Sequence, residues 1–222
     1  MKFYVDSAEI KDIREAKNLG IADGVTTNPT LIMKSGRDMK DVVEEIASEI
    51  KGPIFTEVIR LDESGILEEG YEMSKWSDQV VIKIPATQEG IQAARKLELD
   101  GIPTGITLIF SPSQALLAAK AGVSYLIPFV GRLDDVSIDG IEMISQIHRI
   151  LQNYSELPSQ ILAASLRHPM HILELALMGV DIVTAPVSVY KQLAQHPLTD
   201  VGIKNFLNDW QKLEKNRGEY AR

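Results

Sequence analysis

The sequence predicts an α/β fold: an eight-stranded parallel (β/α)8 barrel, the TIM barrel, with an additional C-terminal helix. Three observations predict it. Short β-branched or aromatic runs alternate with longer amphipathic stretches eight times, in units of roughly 20 to 35 residues. The chain has 222 residues, a length that suits one barrel domain over 1–222. The alternative, an open doubly wound sheet, lacks support because no Gly-x-Gly-x-x-Gly follows any strand run.

The elements follow in order. Lys2 to Val5 is the first strand, and a helix runs from Ala8 to Leu19 with Ser7 as its candidate N-cap. Gly24 to Thr26 is the second strand, broken by Thr27-Asn28-Pro29. Residues 39–51 carry apolar side chains at helical spacing and stop before Gly52-Pro53. Ile54 to Val58 is a strand and Glu63 to Trp76 a helix. Gln79 to Ile84 is the fourth strand, ended by Pro85, and Gln88 to Leu99 is helical up to Gly101. Thr104 to Ile109 and Ser124 to Ile127 are strands, followed by helices at Ser111 to Ala121 and Ser137 to Asn153. Gln160 to Ala164 and Asp181 to Thr184 complete the strands, with helices at His168 to Met178 and Ser188 to Gln195. A last amphipathic helix spans residues 199–215. The tail at 216–222, NRGEYAR, has nothing to bury and is expected to fray.

Composition narrows the function. With 45% hydrophobic and 24% charged residues the chain is globular. A net charge of -8 disfavours a generic nucleic-acid or anionic-membrane role, while leaving room for a local basic pocket. There is no Cys, so disulfides, Cys-zinc sites and thiol catalysis are excluded. The N-terminus has no apolar h-region and no apolar run is long enough for a membrane helix, so the expected location is the cytoplasm.

Chemistry in such a barrel sits at the carboxyl ends of the strands. The polar residues found there are Asp6, Asn28, Glu57, Lys83, Thr107, Arg132, Ser165 and Arg167. Lys83 is the informative one, because it lies inside the apolar strand VVIKIP. A buried lysine is rare unless paired or functional. Two readings stand: a lysine paired to a carboxylate, or a Schiff-base nucleophile whose neutral amine is favoured by desolvation.

Six motifs then carry a resemblance: VDSA around Asp6, TTNPT at 26–30, VIKIPAT around Lys83, GITLIFS at 105–111, PFVGRLDD at 128–135 and AASLRHP at 163–169. In this order they resemble the transaldolases, over about residues 1–213. The length is similar to the small group that also contains fructose-6-phosphate aldolases. The resemblance implies a class I mechanism with no metal and no cofactor, acting on sugar phosphates. Lys83 would form the Schiff base. Asp6 would bind donor hydroxyls and help proton transfer, and Glu57 with Thr107 would hold a catalytic water. Thr26, Asn28 and Phe129 would line the substrate site, and Arg132, Ser165 and Arg167 would take the phosphate. The resemblance also implies a homo-oligomer, a ring-shaped pentamer or decamer. The terminal helix with Phe206, Leu207, Trp210 and Leu213 offers an apolar face for a neighbour or for its own barrel.

Each residue also has a plainer role open to it. Asp6 can cap the first helix, Asn28 can serve only the turn before Pro29, and Glu57 can be the structural partner of Lys83. Thr107 can be an ordinary strand residue. Arg132 can pair with Asp134 or Asp135, Ser165 can be an N-cap, and Arg167 can be a surface residue. Metal binding by His168 and His171 is disfavoured by the intervening Pro169. The acidic stretch at 41–49 reads as a solvated helix face. Two positions depart from the transaldolase pattern: Gly105 where Asn is common, and Ile127 where Ser is common. Within the group, the aldolase members carry Gln at the position of Glu57 and Tyr at that of Phe129. This chain has the transaldolase choice at both, which favours transfer over release.

Overall fold

The computed structural model describes residues 1–220, with side chains to residue 215. Its strands are β1 (Lys2–Asp6), β2 (Gly24–Thr26), β3 (Ile54–Glu57), β4 (Val80–Pro85), β5 (Thr104–Ile109), β6 (Tyr125–Pro128), β7 (Gln160–Ala163) and β8 (Ile182–Ala185). All pair in parallel with their sequence neighbours, and β1 also pairs with β8, so the sheet closes into the expected barrel. The helices are α1 (Ile10–Asn18), α2 (Pro29–Ser35), α3 (Met39–Glu49), α4 (Glu63–Met73), α5 (Gln88–Leu99), α6 (Pro112–Ala121), α7 (Gly131–Asp134), α8 (Gly140–Asn153), α9 (Pro169–Met178), α10 (Val187–Gln192) and α11 (Pro197–Tyr220).

Local chemistry explains most helix starts. Asn28, Asp38, Asp62, Thr87, Ser111 and Asp139 each accept a backbone N–H of the first turn with their side chains. Four helices, α2, α6, α9 and α11, open with Pro, whose missing N–H has no partner to lose there. Two sequence expectations shift. Ser7 is not the N-cap of α1: that position is Glu9, without a side-chain cap, while Ser7 accepts from the Glu9 N–H and donates to Asp12. The helix expected from Ser137 starts at Gly140, because Ser137 adopts a left-handed φ of 63°. Two short helices, α2 and α7, lie where only loops were expected. Both follow strand ends, so both stand at the rim where the polar residues gather.

The barrel interior is built in two layers by strand alternation. Tyr4, Phe55, Val81, Ile127 and Ile182 fill an apolar layer. Two residues further along four of the same strands stand Asp6, Glu57, Lys83 and Thr184. The pleat therefore turns one hydrophobic layer into a floor for a polar layer above it. A second, larger apolar core lies between strands and helices and includes Val25, Ile82, Ile106 and Val183.

The ladder has one irregularity. The β5–β6 register slips between Thr107 and Ile109, and the extra residue, Leu108, has a left-handed φ of 57°. A branched side chain avoids that region, so the bulge is held by its surroundings.

The terminal helix packs on little. From Pro197 to residue 215 nearly every described residue is exposed, including Phe206 at 76% and Trp210 at 56%. The expectation for the tail at 216–222 falls on residues whose side chains, or at 221–222 whose whole placement, lie outside those described. Among the described residues no helix is long and apolar enough to cross a membrane.

Candidate active site

The carboxyl ends of the strands surround a cavity of about 300 Å³. Of the residues expected from sequence, Asp6, Thr26, Asn28, Glu57, Lys83, Phe129, Arg132 and Ser165 line it.

Lys83 is the most buried charge in the cavity, 4% exposed, because β4 is flanked by β3 and β5 and covered by helices. Its Nζ donates to Glu57 Oε2 at 2.9 Å and to the Thr27 carbonyl at 3.1 Å. The two residues sit side by side in the β3–β4 register. Lys83 is thus both buried and paired, and it opens onto the cavity. The pair leaves a carboxylate within proton-transfer distance of the amine.

Asp6 accepts from the Thr26 hydroxyl at 2.9 Å. Burial pushes its carboxyl pKa above the ordinary carboxylate value, opposed first by the charge of Lys83 and then by the Thr26 hydrogen bond, while Glu57 adds to the rise. Asp6 does not cap α1. Asn28 has two roles: its side chain caps α2 by accepting from Leu31 N–H at 3.0 Å, and the residue lines the cavity.

Arg132 makes neither of the ion pairs open to it. Asp135 pairs with Arg167 and Asp134 with His171. Arg132 instead lies over the Phe129 ring, 4.9 Å from its centroid, with its charge exposed at the rim. Ser165 holds a left-handed φ of 59°, and its carbonyl accepts from Gly131 N–H at 3.0 Å, beside Arg132.

Two expected residues stand apart from the lining. The Thr107 hydroxyl is fully buried and has no protein partner. Arg167 forms a two-pronged pair with Asp135 at 2.5 and 2.6 Å. Its backbone N–H donates to His171 Nδ1 at 3.3 Å, and His171 Nε2 meets Asp134 at 3.0 Å. Arg167 and His171 therefore clamp α7, the helix that presents Arg132.

Other residues that were not anticipated also line the cavity. Thr184 and Leu108 come from strands, Ala164 follows β7, and Pro29 and Thr30 open α2, while Ile127 joins them from β6. Thr184 carried a readable signal, a polar residue at the carboxyl end of β8. Leu108 carried none, because only the bulge turns it toward the cavity.

Residues 3–217 match the profile of the family described as Transaldolase/Fructose-6-phosphate aldolase. A protein of Geotalea uraniireducens named "Probable transaldolase" is 54% identical over 215 residues, covering 97% of this chain and 100% of that protein. One of Aquifex aeolicus with the same name is 53% identical, covering 96% of this chain and 98% of that protein. Among solved structures, a flavocytochrome b2 variant superposes with a TM-score of 0.61 at 14% identity, covering 84% of this chain and 57% of that one. That likeness concerns the barrel alone. Sequence, profile and relatives converge on one assignment: the chain belongs to the transaldolase/fructose-6-phosphate aldolase family.

Proposed function

We propose that this chain is a Schiff-base transaldolase. It would reversibly transfer a dihydroxyacetone unit from sedoheptulose 7-phosphate to glyceraldehyde 3-phosphate, giving erythrose 4-phosphate and fructose 6-phosphate. The observation that carries the reading is Lys83, buried in β4, opening on the cavity, with Glu57 at 2.9 Å.

The residues divide the work by their chemistry. Glu57 takes a proton from the Lys83 ammonium, the free amine attacks the ketose C2, and Glu57 returns the proton so that the carbonyl oxygen leaves as water and a protonated imine remains. The protonated imine draws the C3–C4 bonding electrons as Asp6 accepts the C4 hydroxyl proton, and the aldose departs. The enamine on Lys83 then attacks the acceptor aldehyde by the reverse steps. Asn28 and Thr26 supply polar groups for donor hydroxyls. Arg132 holds the phosphate with a charge that no carboxylate in its own loop occupies. The buried Thr107 hydroxyl, without a protein partner, suits a hydroxyl that holds a water with Glu57.

The aldolase reading differs at one step, protonation and release of the enamine. Phe129 favours transfer, because it is 9% exposed, packs edge-on against Phe110 at 5.7 Å and offers no polar atom. The test is borohydride reduction with fructose 6-phosphate followed by mass spectrometry. An adduct on Lys83, lost in Lys83→Ala, supports the reading; an adduct on another lysine overturns it.

The assembly we read as a homo-oligomer, pentameric or decameric as in similar small transaldolases. The exposed apolar side chains of α11 support it, since contact with a second copy would remove them from water. Light scattering on the intact chain and on a chain ending at residue 196 tests this. A monomeric intact chain overturns it.

A further inference from the structure

Thr184 extends the polar layer onto β8, and its hydroxyl stands 2.7 Å from that of Thr26. Thr26 in turn stands 2.9 Å from Asp6 Oδ1. Three neighbouring strands, β8, β1 and β2, thus hold three polar groups in one line. Thr184 and Thr26 are each 2% exposed, so water does not compete freely for the hydroxyl–hydroxyl bond.

A count of protons sets the direction of the line. An ionised Asp6 is an acceptor only. The Thr26 hydroxyl has one proton and gives it to Asp6. The Thr26 oxygen must then accept from Thr184, which is the donor at the head of the line. A protonated Asp6 permits the reverse: Asp6 donates to Thr26, Thr26 to Thr184, and the Thr184 proton turns toward the cavity it lines. Both directions engage the Thr26 proton and one lone pair of its oxygen. The line therefore follows the charge on Asp6, and mutual polarisation strengthens it when Asp6 is ionised.

We propose that Thr184 is a positioning residue for Asp6: its hydroxyl polarises the Thr26 donor most strongly when the carboxylate is ionised, and so favours the form that accepts a proton. This rests on the reading of Asp6 as proton acceptor. The other ionisable groups around Asp6 are Lys83 of β4, Glu57 of β3, Tyr190 of α10, and Arg132 at the rim of the same cavity. Thr184 can be changed without touching any of them.

The test compares wild type, Thr184→Val and Thr184→Ser. Val has nearly the shape of Thr and suits a strand, so it removes the hydroxyl and little else. Thr184→Val is expected to move the acid limb of the kcat–pH profile upward by about half a unit, a roughly threefold change in proton affinity. The same variant is expected to lower kcat several-fold with KM within twofold. Thr184→Ser is expected to restore both. An unmoved acid limb overturns the proposal, including the case where KM alone rises and Thr184 binds substrate directly. A Ser variant as impaired as Val overturns it too, because the effect then belongs to the lost methyl. Borohydride trapping on Lys83 in all three proteins separates this result from the underlying reading. Trapping in all three with an unmoved limb overturns only the role of Thr184, whereas a wild type that traps nothing overturns the Schiff-base mechanism.

Discussion

Ile127 occupies the space that Gly105 leaves: its Cδ1 lies 2.9 Å from where a Cβ at Gly105 would stand. Gly105 neighbours Lys83 across the β4–β5 ladder, so the exchange of sizes sets the wall beside the Lys83 amine. Two positions where the resemblance to transaldolases implies polar side chains form one apolar surface here. The two departures are thus one coupled change.

That coupling is measurable. Gly105→Asn alone must push into Ile127 and into Phe55, whose ring carbon is 3.2 Å from the same point. Overpacking of this kind costs about 1 to 3 kcal/mol. Gly105→Asn with Ile127→Ser is expected to recover most of that loss, giving a coupling energy of about 1 kcal/mol or more in a denaturation cycle. Additive effects would show that the side chains do not share the space.

Arg132→Ala should raise KM for phosphorylated donors far more than for free dihydroxyacetone. Loss of a charged clamp should cost on the order of 2 to 4 kcal/mol. Steady-state kinetics with both donors checks it, and equal effects would remove Arg132 from the phosphate site.

Phe129→Tyr should increase release of free dihydroxyacetone from fructose 6-phosphate and lower transfer to erythrose 4-phosphate. The added hydroxyl places a proton donor at a position that now has no polar atom. The wild type without acceptor should release little. Sustained release matching the transfer rate would promote the aldolase reading.

His171 should make the protein sensitive to acid. Burial holds its pKa below the ordinary value, with His168 adding to the decrease and Asp134 opposing it. Its Nδ1 accepts from the Arg167 N–H, so a second ring proton would face that donor. The unfolded chain therefore binds a proton that the folded chain resists, and stability falls as pH drops through the ordinary histidine range and below. Tm measured from pH 7.5 to 5 should decline in the wild type and decline less in His171→Gln. Identical slopes would assign the acid sensitivity elsewhere.

The barrel was legible in the sequence because each strand run is short, apolar and bounded by its own punctuation. Lys83 stood out because a charge inside VVIKIP conflicts with its surroundings. The short helices α2 and α7 were not legible, since four to seven residues carry too little periodicity to distinguish them from turns. Arg167 shows another limit. Its motif could not show its partner Asp135, thirty-two residues earlier, which only the fold brings near. Leu108 was hidden for a related reason, because a bulge is a relation between two strands.

The closure of β1 onto β8 has a consequence for how the protein is made. Lys2 pairs with Ile182, so the ring joins residues 180 positions apart. At typical synthesis rates the first strand waits about 10 to 40 seconds for its partner to be translated. Asp6 and Thr184 flank that seam. A nascent chain can hold most of its helices and still lack a working proton acceptor. During synthesis, accordingly, the β1–β8 seam beside Asp6 cannot close until β8 has been made.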